Sequence, residues 1–174
     1  MNKTLKNILI IIGSIFGFAI LAFIFFLVIG IFLGADDKTF TSHGFTITLT
    51  DDFYEKDYAS LTAYFESSDV IVTALKEDFT SLEVVGLNAS SSVSDYMKAV
   101  FETNEFSGDI KKSSNGKYEY TEYKSSSSGK EFSYLMVTLK GKDAFWLVNF
   151  ACESKNIDEY REKFLKYADT IKVD

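Results

Sequence analysis

Ala144-Phe145-Trp146-Leu147-Val148-Asn149-Phe150-Ala151-Cys152 is the stretch on which the fold turns: nine residues without a charge. In an extended chain, successive side chains point to opposite faces. Trp146, Val148, Phe150 and Cys152 then share one face, and Phe145 and Leu147 occupy the other. Both faces are apolar, which predicts a central strand covered on each side.

The segments around it fit such a sheet. Residues 108–112, 117–124 and 131–140 read as further strands, punctuated at Asn115-Gly116, Ser128-Gly129 and Gly141-Lys142. Asn115-Gly116 is the strongest hairpin signal, because both positions of a tight two-residue turn take positive φ. Downstream, Asn156-Ile157-Asp158-Glu159 resembles a capping box that opens a helix with an apolar stripe of Ile157, Tyr160, Phe164, Ala168 and Ile171. Over residues 92–104 the period changes: Val93, Tyr96, Met97, Val100 and Phe101 fall on one helical face, with Ser92 as N-cap and Asp95 in the first turn. Phe45, Ile47 and Leu49 alternate with Thr46, Thr48 and Thr50, a half-buried strand that Asp51-Asp52 ends. Residues 61–65 and 70–75 make two more strands across a polar turn at 66–69. The near-continuous apolar run of 70–75 predicts burial on both faces. Residues 34–44 read as a short polar connector.

Before the connector, residues 8–33 carry no charge, and twenty of them are Ile, Leu, Phe or Val. As a helix this segment reaches roughly 39 Å, more than the ~30 Å hydrocarbon core of a bilayer. The apolar core of a cleaved signal peptide would run only about 7–15 residues, so a retained transmembrane helix is the expectation. Lys3 and Lys6 precede it and no acidic residue occurs before Asp36, which places residues 1–7 in the cytoplasm, 34–43 as a juxtamembrane linker and 44–174 outside the cell membrane. Gly13 with Gly17 and Gly30 with Gly34 have the spacing that permits homodimers through such a helix, although glycine is common in membrane helices generally.

All 25 acidic residues and 16 of the 18 basic ones lie beyond the apolar segment, so that part carries a formal −9. Nucleic acid as a partner is excluded on this count, since it requires clustered Lys and Arg. Cys152 is the only cysteine, which rules out an intramolecular disulfide, and a domain of about 140 residues has core enough without one. No motif for catalysis, cofactor or metal stands out. His43 is the only histidine, and it forms a dyad only if Cys152 approaches it; Cys152, at the end of a buried strand, reads as a small hydrophobe. Asp36-Asp37, Asp51-Asp52 and Glu77-Asp78 lack the spacing of a calcium loop and read as turns. Tyr118, Tyr120, Tyr123, Tyr134 and Trp146 make the meander aromatic. In a sheet covered on both sides they belong to the core, and otherwise they form a contact surface.

Two stretches resemble PsbP-like domains: Gly44-Phe45-Thr46-Ile47-Thr48-Leu49 with Asp51-Asp52-Phe53, and Asp143 to Cys152 followed by Tyr160, Phe164 and a helix ending at Ile171. The resemblance is one of strands and core positions and covers most of 44–173. It implies an α+β fold, a three-layer α/β/α sandwich whose mostly antiparallel sheet has helices on both faces. It also implies an accessory or binding role. The plant members help hold the photosynthetic oxygen-evolving complex, and nuclear relatives bind a small GTPase. No functional residue carries over. The expectation is therefore a membrane-anchored, non-enzymatic module, tied to the bilayer by residues 8–33 and docking on another envelope protein. A small-molecule or lipid-binding domain is the alternative, and an envelope hydrolase comes third.

Overall fold

The structure, a computed structural model, describes residues 36–174 apart from Glu105, Ser107 and Ser128. The expected transmembrane helix at 8–33, its glycine pairs and the cytoplasmic residues 1–7 lie outside the described residues. Among the described residues, no helix is long and apolar enough to cross a membrane.

The meander appears as antiparallel strands. β5 (Val70–Asp78), β9 (Ala144–Glu153), β8 (Lys130–Lys140) and β7 (Glu119–Ser127) are long, and β4 (Ala63–Glu66), β3 (Tyr54–Glu55) and β6 (Lys111–Lys112) are short. Together they form a seven-stranded sheet in the order β3-β4-β5-β9-β8-β7-β6, all antiparallel. As the Ala144–Cys152 stretch predicts, β9 is central, paired with β5 along one edge and β8 along the other. A second, three-stranded sheet is formed by β1 (Asp37–Ser42), β2 (Phe45–Thr50) and β10 (Lys172–Val173).

β1 corrects the expectation of a linker over 34–43, because residues 37–42 pair in full register with β2 and belong to the domain. Its alternation is short and polar, and only Phe40 faces the core. Among the described residues, the turn that joins β1 to β2 is the one place where two successive residues have positive φ, His43 at 47° and Gly44 at 85°. This is the tight hairpin that the sequence reading assigned to Asn115-Gly116. At the latter, only Gly116 has positive φ (70°). Its N–H donates to Ser113 C=O at 3.0 Å, while the Asn115 side chain accepts from Lys117 N–H at 2.9 Å. Ser113 N–H donates to Tyr118 C=O at 3.0 Å, so the loop is four residues long, 114–117, and Asn115 needs no left-handed backbone.

Among the described residues three α-helices complete the domain: α1 (Phe79–Leu82), α2 (Val93–Asn104) and α3 (Ile157–Thr170). α2 starts as predicted. Ser92 Oγ accepts from Asp95 N–H at 3.1 Å, and the Asp95 carboxylate accepts from Ser92 N–H at 2.8 Å. The capping expectation for α3 fails. A 3-10 turn (Ser154–Asn156) leads straight into the helix, so Asn156 is already helical and its side chain caps nothing.

The sheet has a cluster of buried residues on each face. On one face Trp146, Val148 and Phe150 of β9 meet Phe45, Ile47 and Leu49 of β2 and Phe164 and Ala168 of α3. Phe45 stacks on Trp146 at 5.7 Å and Phe150 on Phe164 at 5.5 Å between ring centroids. Each such side chain contributes about 1.5–3 kcal/mol when fully buried. On the opposite face Tyr96, Met97 and Val100 of α2 cover Phe145 and Met136.

Candidate functional site

The second face is covered only in part, and the register shows where cover stops. Tyr54, Glu66, Ile71, Ala151, Tyr134 and Tyr123 are successive cross-strand partners from β3 through β4, β5, β9 and β8 to β7, one row on one face. The next row towards α2 holds Tyr64, Thr73, Asn149 and Met136, and only Met136 of these lies in the cluster beneath α2. Ile71 remains 37% exposed. The prediction that 70–75 is covered on both faces is therefore corrected: Val70, Val72 and Ala74 are buried, while Ile71 and Thr73 look out. No helix of the described residues reaches them.

The small side chains of Ala151 and Thr73 sit between larger neighbours, which makes the surface concave. The result is an open groove of about 640 Å³. Ile71, Thr73, Asn149, Ala151, Phe132 and Tyr134 contribute to its lining, with Glu66 of β4 at one side and Asp69, Lys130, Glu153 and Lys155 at the strand ends. Tyr123 stacks on Tyr134 at 4.7 Å and under Phe106 at 4.3 Å, and its hydroxyl donates to Asn149 Oδ1 at 3.2 Å. Burial pushes the Tyr123 phenol up to about 12. On the other side Tyr58 packs on Tyr64 at 4.5 Å.

The borders are electrostatically ordered. Glu66 accepts hydrogen bonds from Lys56, Tyr54 and Tyr64, the last at 2.7 Å. These donors, Lys56 foremost, hold its carboxyl down at about 2. Glu153 is likewise held at about 2 by Lys130 and then Lys155, whose ammonium lies 2.7 Å away. Each carboxylate is fixed as an anion with its cations attached, a stable rim with no proton poised to move at neutral pH.

The candidate residues of the sequence disperse. His43 sits in the β1–β2 turn, its Nδ1 3.0 Å from Ser42 Oγ, beside a second depression that does not include Cys152. Cys152 is 2% exposed, and burial pushes its thiol up to about 11. Asp51 and Asp52 are exposed in a turn, Glu77 accepts from the Tyr96 hydroxyl, and Asp78 pairs with Lys76 at 3.6 Å. Among the described residues no three His, Cys, Asp or Glu side chains gather as metal ligands. The aromatic set divides by register. Tyr118 and Trp146 are core and Tyr120 packs against it, Tyr123 packs against the second cluster beneath Phe106, and Tyr134 lines the groove. Sequence reasoning missed Ile71, Thr73, Phe132, Asn149 and Ala151. The available signal was a polar residue in the middle of each second-face row, Thr73 in β5 and Asn149 in β9, where full cover would have favoured an apolar one.

No protein-family model matches the sequence, and no curated protein matches it. Solved structures do. The solution structure of cyanobacterial PsbP (CyanoP) from Synechocystis sp. PCC 6803 superposes with a TM-score of 0.55 at 13% identity, covering 80% of this chain and 94% of that one. The fold is PsbP-like. The Ran-binding protein Mog1p of Saccharomyces cerevisiae matches with a TM-score of 0.52 at 7% identity, over 80% of this chain and 96% of its own. A Bacteroides thetaiotaomicron protein matches with a TM-score of 0.52 at 14% identity, over 79% of this chain and 48% of that one. The PsbP-like domain therefore has the α+β, mostly antiparallel architecture that the resemblance implied, at identities that speak for the fold alone.

Proposed function

We propose that this protein is a non-catalytic interaction module, tethered to the cell membrane by residues 8–33 with its N-terminus cytoplasmic and its PsbP-like domain extracytoplasmic, where it docks on a neighbouring envelope protein. The observation that carries the reading is the partly covered sheet face, with Ile71 exposed and Phe132 and Tyr134 half-buried around a groove in a domain that buries the same strands on the other side. Exposed apolar surface of this kind marks contact sites in soluble domains. On the groove's rim Glu66 and Glu153 are already paired with lysines, which supports a binding role for them over one in proton transfer. The groove has the volume of a small-ligand site, but it is a surface groove and not an enclosed cavity, and this favours a macromolecular partner over a carried ligand. That a PsbP-like neighbour is a Ran-binding protein adds support by analogy.

The test is in-cell crosslinking through the domain of the full-length chain, followed by purification from membranes and identification of adducts. Reproducible recovery of one envelope protein is the expected result. Recovery of none, or retention of the chain in the cytoplasm, overturns the proposal.

A further inference from the structure

The smaller sheet ends on a strand whose outer side has no neighbour. We infer that this outer edge of β1 pairs antiparallel with the same edge of a second copy of the chain, joining the two small sheets into one continuous sheet. The inference rests on the membrane tether of the proposed function and is independent of any other envelope protein.

Hydrogen-bond parity identifies the groups that β1 turns outward. Thr48 of β2 donates its N–H to Thr170 Oγ1 at 3.0 Å, and its C=O accepts from that hydroxyl at 3.3 Å. Gly44 C=O likewise accepts from Asp174 N–H at 3.1 Å. These groups point towards the end of α3 and β10, hence away from β1. Along an antiparallel pair, residues that exchange both backbone bonds alternate with residues that exchange none. Thr39, the register partner of Thr48, therefore turns its N–H and C=O to the outer edge, as do Asp37 and Thr41. All three are exposed, and among the described residues no backbone group meets theirs on that side. The other terminal strands of the two sheets, β3, β6 and β10, are two residues each, whereas β1 has six. A long bare edge is a template for another strand.

Register and tether select a second copy as that strand. Set antiparallel about Thr39, two β1 edges place Asp37 opposite Thr41 and Thr39 opposite its twin. Every outward group then finds a partner, in about six hydrogen bonds. A slip of two residues leaves one outward residue of each copy unmatched. Lys38 falls opposite Phe40 of the second copy, the kind of ring it already meets in its own chain at 4.6 Å, so no like charges stand directly opposed. Only residues 34–36 separate the uncharged segment from β1, a reach of about 10 Å. The two Asp37 residues of the paired edges stand about 14 Å apart, which two such connectors span. Gly30 and Gly34 have the spacing that lets two membrane helices pack closely at that end of the segment. A shared membrane raises the effective concentration of the edges, and this offsets the repulsion between two acidic domains.

The test is disulfide capture in the full-length chain in its own membranes, using copper phenanthroline as oxidant and N-ethylmaleimide as quench. Cys152 is 2% exposed, so the parent chain should give no linked dimer. Thr39→Cys should link to its twin, because a hydrogen-bonded pair brings Cα atoms to about 5.5 Å, within disulfide range. Asp37→Cys and Thr41→Cys should each self-link about tenfold less, yet link to one another when co-expressed. Thr39→Pro removes only an outward N–H, so β1 stays paired with β2 and circular dichroism is unchanged. Added to both partners of the 37–41 pair, it should lower their linking about tenfold. Equal self-linking at 37, 39, 41 and the distant, 89% exposed Val84, or none at 39, overturns the inference. A disulfide from position 39 to a different protein also overturns it and leaves the interaction module standing. A full-length chain that does not fractionate with membranes defeats the tether and the pairing together.

Discussion

The two faces of β5, β9 and β8 are made from alternate residues of the same strands, and only one of them is finished. On the first face Val72, Val148, Phe150 and Leu135 lie at or near zero exposure beneath β2 and α3. On the second, Ile71, Thr73, Asn149 and Tyr134 border an open groove, and α2 covers only the far end. The difference separates two uses of apolar surface. The first face supplies the burial that folds the chain, and the second retains apolar surface that folding does not need. Substitutions on the first face should therefore cost stability, and those on the second should cost binding.

The sharpest contrast sets Phe150→Ala against Ile71→Ala. Phe150 is fully buried and stacked on Phe164, so truncation leaves a cavity and should cost about 3–5 kcal/mol. Ile71, 37% exposed, should cost under about 1 kcal/mol while weakening partner capture. Urea unfolding of the full chain in detergent, followed by the near-ultraviolet signal of Trp146, reads both. Equal losses would mean that the two faces are equally built.

Gly141→Ala probes how the first face is closed at its edge. An added Cβ there would overlap the Asp174 carbonyl oxygen and lie 3.0 Å from Trp146 Nε1. Lys142 N–H donates to that same carbonyl at 2.9 Å, so the chain end must shift and β10 with it. Overpacking of this sort costs about 1–3 kcal/mol. Amide exchange of Lys172 and Val173 should speed up, while crosslinking of the domain to its partner stays unchanged.

Ser92→Ala tests the helix that covers part of the second face. Loss of the reciprocal Ser92–Asp95 bonds should cost about 0.5–2 kcal/mol and loosen α2 over Phe145. A change confined to the amide exchange of α2 is the expected signature. Global destabilisation beyond this range would show that the second cluster does more than roof one end of the sheet.

What the sequence disclosed, and what it hid, follows this same division. The centrality of Ala144–Cys152, the Ser92–Asp95 cap and the apolar stripe of α3 were legible because local period and burial agree there. β1 was illegible because its strand is held by pairing with β2, with only Phe40 facing the core. Cover over Ile71 was overestimated because an apolar residue reads as buried whether its neighbour is this chain or another protein. The groove lay hidden for the same reason. It is assembled from cross-strand partners up to eighty residues apart, such as Ile71 and Ala151, and no local pattern encodes which half of a face a helix will reach.

The smallest expected effect concerns pH and belongs to the second face. Glu66 and Glu153, both on the groove's rim, are each held at about 2 in the folded protein, by Lys56 and by Lys130 respectively, whereas an unfolded glutamate titrates near ~4.3. A depressed folded value means that the unfolded chain binds protons first as pH falls. The stabilisation is thus fully present above about 4.5 and is lost progressively towards about 2. Asp95 and Glu131 are lowered as well, by Ser92 and by Lys124, so the wild-type acid limb is a sum. Glu66→Gln and Glu153→Gln should each flatten that limb between pH 4.5 and about 2. Measured against Phe150→Ala, which lowers the whole curve without changing its slope, they separate the titrating rim from the apolar core. If neither glutamine variant alters the slope, the lysine pairs on the rim are too solvent-screened to stabilise the fold measurably.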